Sequence, residues 1–90
     1  MSDCDDLIRK AYETKRRGLR FNEEIRLAEC AGFRRARQRG SHLIMKRPGF
    51  PRLLNFQPDA NGMAKPAQVR ELLDAIGEIK ELEGQPKPPG

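Results

Sequence analysis

The segment from Pro66 to about Glu83 sets large apolar residues at helical spacing: Val69, Leu72, Leu73, Ile76 and Ile79. Pro66 suits the first helical turn, where its missing N–H would have no partner in any case. Each large side chain taken out of water contributes roughly 1.5 to 3 kcal/mol, so this stripe needs a cover. A chain of 90 residues buries only about 60 to 70% of its unfolded surface and sustains one core. The cover must come from the same small domain.

Upstream of Gly32 the chain reads as helix, and downstream the helical spacing disappears. "RFNEEIRLAECAGF" predicts a helix from Glu23 to Ala31, with Asn22 as N-cap, Glu23 and Glu24 at the positive end of the dipole, and Gly32 as a left-handed stop. Three short strands follow: Phe33 to Arg39, His42 to Arg47 and Arg52 to Gln57. The junctions carry turn residues, Gly40-Ser41, Pro48-Gly49 with Pro51, and then Pro58-Asp59 with Asn61-Gly62. Connections this short favour antiparallel neighbours. In "LLNFQ", Leu54 and Phe56 fall on one face and Leu53 and Asn55 on the other. Asp5 to about Arg17 predicts an additional helix in front, with Leu7, Ile8, Ala11 and Tyr12 as its apolar stripe and Gly18 as its stop.

The expected class is α+β: a three-stranded antiparallel sheet with two helices on one face, in the order α-β-β-β-α, plus the N-terminal helix. That is the layout of double-stranded-RNA-binding domains, and it leaves the other sheet face wet. Residues 1–19 read as an extension, 20–83 as the domain, and "GQPKPPG" over 84–90 as a disordered proline-rich tail.

The net charge of +5 is unevenly spread. Basic and acidic residues balance from Met1 to Phe33, and the acidic ones lead by two from Leu53 onward. Between them, Arg34, Arg35, Arg37, Arg39, Lys46, Arg47 and Arg52 stand with no acidic residue at all. A block of this kind is the footprint of a polyanion partner or a solvated basic face. The start "MSDCDDLIRK" is acidic, unlike a signal peptide, and no apolar run approaches the roughly 20 residues of a membrane span. We therefore expect no membrane partner and a cytoplasmic location. Two distant cysteines, Cys4 and Cys30, read as reduced thiols, with Cys30 packed among the small apolar residues of its helix.

Chemistry has few candidates. One histidine and two scattered cysteines do not make a zinc ligand set, and no phosphate-binding glycine loop or dinucleotide fingerprint occurs, so neither metal nor cofactor is expected. His42 remains, just after the Gly40-Ser41 turn. An imidazole exchanges protons near neutral pH. Metal-free RNA cleavage needs such a group to deprotonate a 2′-OH, and cations to hold the phosphate as charge develops. Arg37, Arg39, Lys46 and Arg47 are near in sequence. A period of two puts His42 with Ile44, which reads as core, yet its position at the strand end lets it reach solvent.

"RFNEEIRLAECAGFRRARQRGSHLIMKRPGFPRLLNFQPDANGMAKPAQVRELLDAI" resembles the HicA toxin family of HicA-HicB type II toxin-antitoxin modules, from about Arg20 to Ile76. The likeness lies in the "GF" closing the helix, "RQRGSH", "PGFPRLLNFQPD" and "AKPAQVRELLDAI". It implies a double-stranded-RNA-binding-like fold and a metal-independent mRNA endoribonuclease that blocks translation, with a HicB-like antitoxin as protein partner. The family's essential histidine falls on His42 and its turn on Gly40 and Ser41. The chain departs from the family in its first nineteen residues and in Arg35, where an apolar residue is common.

The RNA-binding set expected is Arg34, Arg35, Arg37, Arg39, Ser41, Lys46, Arg47, Arg52 and Lys65, with His42 catalytic. A second proton carrier is open among Tyr12, Ser41 and Lys46. The alternatives are a non-catalytic RNA-binding module using the same face and a protein-interaction module whose basic face meets an acidic partner.

Overall fold

The computed structural model describes residues 3–84 and has the element order α1 (Asp3–Glu13), α2 (Phe21–Cys30), β1 (Arg34–Arg39), β2 (His42–Lys46), β3 (Leu54–Phe56) and α3 (Pro66–Leu82). The strands form one antiparallel sheet in the order β1-β2-β3, so the α+β class and the α-β-β-β-α order hold, with α1 in front. Within the tail, residues 85–90 lie outside the described residues.

The apolar stripe of α3 is buried as expected: Val69, Leu72, Leu73, Ile76 and Ile79 share one core with Leu43 and Met45 of β2 and Leu54 and Phe56 of β3. Alternation along β2 and β3 sends these four side chains to one face. Leu53 and Asn55 face out, Leu53 being 61% exposed. Ile25, Leu27 and Ala28 of α2 complete the layer, with Phe33 and Phe50 packed edge to face at 5.6 Å between ring centres.

Local boundaries differ in instructive ways. α2 begins two residues early, because Arg20 is extended and bridged to Met63, and the Phe21 N–H already donates to the Gly62 carbonyl. Asn22 is thus inside the helix. Glu23 reaches back to accept from the Arg20 N–H at 2.8 Å, half of a capping box. α1 stops before Gly18: Lys15 and Arg16 turn the chain with φ of 53° and 66°. Gly18 serves closeness, since a Cβ there would lie 2.5 Å from Thr14 Cγ2.

The expectation of two reduced thiols is overturned. α1 folds back antiparallel on α2, and Cys4 and Cys30 meet in a disulfide across 26 residues of sequence, with Cα atoms 5.9 Å apart. Cys30 is exposed, not packed in the core. Sequence distance said nothing about contact, because the tight turn after α1 brings the two helices side by side. Asp3 with Arg26, and Lys10 with Glu23, tie the same pair of helices.

Candidate functional site

β1 and β2 form a hairpin closed by Gly40 and Ser41, with Arg39 opposite His42. Gly40 takes φ +54° as the first turn residue, the position where a two-residue hairpin turn favours glycine. The Gln38 side chain donates to the Gly40 carbonyl at 3.3 Å. His42 therefore sits at the first position of β2, at the hairpin end of the sheet.

The alternation of β2 decides its face. Leu43 and Met45 point into the core, so His42, Ile44 and Lys46 point outward, and His42 and Lys46 are exposed. Ile44, read above as core, is only half-buried on this outer face. Asn55 of β3 lies opposite Ile44 and shares the face.

The outer face gains its arginines from an irregularity in β1. Arg34 pairs with Lys46 and Arg35 with Met45. The register then skips Ala36, so that Arg37 pairs with Ile44, Gln38 with Leu43 and Arg39 with His42. Residues directly opposite in an antiparallel pair share a face. A bulge at Ala36 thus sets Arg34, Arg37 and Arg39 on the side of His42 and leaves Arg35 on the other. Without that extra residue, either Arg34 or the pair Arg37 and Arg39 would project from the wrong side. All six β1 residues are exposed, and β1 is an edge strand. None of Arg34, Arg37, Arg39 and Lys46 forms an ion pair with a described carboxylate. The His42 ring has no hydrogen-bond partner among the described residues.

The remaining basic residues named from sequence are committed elsewhere. Arg47 is half-buried; its Nε donates to the Ala31 carbonyl at 2.9 Å and its guanidinium pairs with Glu83 at 3.2 Å. Arg52 lies 5.1 Å from the Phe50 ring centre and pairs with Glu78 of α3. Hydrogen bonding to Glu78 raises the Arg52 pKa above its ordinary value. Lys65, half-buried, precedes α3 and reaches Gln57. Ser41 is exposed in the turn beside His42. Tyr12 is half-buried against the core from α1; Ser41 adjoins His42 in the turn, whereas Lys46 stands at the far end of β2, roughly 13 Å along the strand.

One titratable group, Glu24, was expected only to complement the helix dipole. Glu24 of α2 is fully buried, and among the described residues neither carboxylate oxygen has a hydrogen-bond partner. Burial pushes its carboxyl up to about 8. Its neighbour Glu23 is held below the ordinary carboxylate range: burial alone would raise it, but the Arg20 N–H and the Lys10 ammonium outweigh that. The dipole role read for both acids belongs to Glu23. Only the helical phase of Glu24, one turn before Leu27 and Ala28, hinted at burial.

Among the described residues, no three His, Cys, Asp or Glu side chains cluster as a metal site would require, and no helix is long and apolar enough to cross a membrane. No protein-family model, no curated protein and no solved structure matches the chain.

Proposed function

We propose that this chain is a HicA-type toxin, a metal-independent mRNA endoribonuclease acting in the cytoplasm, and that His42 is its general acid or base. The observation that carries the reading is the outer face of the hairpin, where an exposed His42 stands directly opposite Arg39 and shares its side with Arg34, Arg37 and Lys46. An imidazole there reaches a 2′-OH from solvent, and the guanidinium groups neutralise the phosphate oxygens as the attack builds charge on them. A HicB-like antitoxin of acidic surface would cover the same face.

The test is incubation of the purified chain with a single-stranded mRNA in EDTA. The expected products end in a 2′,3′-cyclic phosphate, as attack by the adjacent 2′-OH requires. RNA that is bound but left intact would sink the nuclease and favour the binding module, a reading supported by the lack of any described residue orienting the His42 ring. RNA that is neither bound nor cut at low salt would sink both.

A further inference from the structure

α1 joins the molecule through a short apolar stripe, a few polar contacts and one disulfide. It has 11 residues, fewer than a helix needs to persist alone in water. Only Leu7 and Ala11 are buried, with Ile8 and Tyr12 half-buried. Its polar ties include the exposed pair of Asp3 and Arg26 and the partly buried pair of Lys10 and Glu23. Pairs of that exposure contribute little, since water competes for both partners.

The bond itself is placed for chemistry. It joins the second residue of α1 to the last residue of α2, and Cys30 is exposed. Both cysteines line a cleft of about 320 Å³ whose apolar wall includes Ile8, Leu27, Ile76 and Ile79. A thiol in solution therefore meets this disulfide without the core opening first. Next to Cys30, the Ala31 carbonyl accepts from Arg47, the residue that follows β2.

We propose that Cys4–Cys30 is a reversible thiol–disulfide exchange site that clamps α1 onto α2 and is opened by a thiol reductant of the glutathione class. A reductant thiolate attacks the Sγ of Cys30, the more exposed residue. A mixed disulfide forms, the protein S–S bond breaks, and Cys4 leaves as a thiolate that takes a proton. A second reductant thiolate attacks the reductant's sulfur in the mixed disulfide, giving the oxidised reductant and releasing Cys30. Two reductant thiols are oxidised to one disulfide, and the protein disulfide is reduced to two thiols. With the bond open, α1 detaches from α2, Lys10 leaves Glu23, and the Leu27, Ile76 and Ile79 wall loses its cover. The site stands independently of any role for His42.

The experiment takes the full oxidised chain through mixtures of reduced and oxidised glutathione at neutral pH, traps free thiols by alkylation, and reads mass together with amide hydrogen exchange. Reduction is expected to be graded and reversible, adding two alkyl groups per chain. Exchange across residues 3–17 should speed up by about tenfold or more, while the sheet and α3 change by less than about twofold. The C4S/C30S chain should match the reduced protein. Three results would overturn the proposal: thiols that stay locked in excess reduced glutathione, reduction that leaves exchange in residues 3–17 unchanged, or reduction that unfolds the whole chain.

Discussion

Among the described residues, the side chains of Glu24 and of Arg34, Arg37 and Arg39 in β1 alike lack partners, and they live in opposite surroundings. The carboxyl of Glu24 is sealed between helix and core, where neither oxygen finds a donor. Arg34, Arg37 and Arg39 stand in water on an edge strand with no described carboxylate attached. In the dry site, ionisation is what the fold resists, and the group answers by holding its proton. In the wet site, charge is retained at little expense and remains available to an anion. The same lack of a partner thus gives pH-dependent stability inside and a field of uncompensated positive charge outside.

The largest test of this contrast is pH. Glu24 has its folded pKa raised to about 8 from an ordinary 4.5, so between those values the folded state keeps a proton that the unfolded chain has released. Its favourable contribution is fully present below about pH 4.5 and is lost as pH rises toward about 8. The slope is about 1.4 kcal/mol per pH unit and the total roughly 4 to 5 kcal/mol. Urea unfolding from about pH 5 to about pH 8 should show that decline, and Glu24→Gln should flatten it. Glu23, held low, acts oppositely and loses its contribution as pH falls below the ordinary range.

Packing comes next. Phe56 is fully buried on the inner face of β3, and Phe56→Ala should cost about 3 to 5 kcal/mol in denaturant unfolding. The smallest effect sharpens the outer face itself. If the Ala36 bulge sets Arg37 beside His42 and Arg35 behind the sheet, Arg37→Gln should reduce the slope of log RNA affinity against log salt by about 0.7, the value of one single-strand phosphate contact. Arg35→Gln should leave that slope unchanged. Equal effects from the two variants would show that the register does not sort them.

Much of this arrangement was legible because it follows from spacing. The α3 stripe forced a cover, and Gly40-Ser41 marked the hairpin end that puts His42 at the start of β2. The alternation of Leu54 and Phe56 against Leu53 and Asn55 gave the inner face of β3. What stayed hidden depends on three-dimensional closure. Leu43, Ile44 and Met45 are all apolar, so only pairing with β3 and the helices could say which of them turn inward. The bulge falls on Ala36, a residue with no turn signature, and it alone decides the faces of the arginines. The Cys4–Cys30 bond required α1 to double back, which Lys15 and Arg16 achieve in a backbone region usually left to glycine.

His42 stands outside the core that its neighbours Leu43 and Met45 enter, so the proposed catalytic role can be separated from the fold. The direct measurement is RNA cleavage in EDTA by the His42→Ala chain, with urea unfolding on the same preparation. The expected result is a rate lower by roughly 10² to 10⁴, stability within about 0.5 kcal/mol of the parent and RNA affinity retained. Cleavage at the parental rate by the folded variant would contradict it.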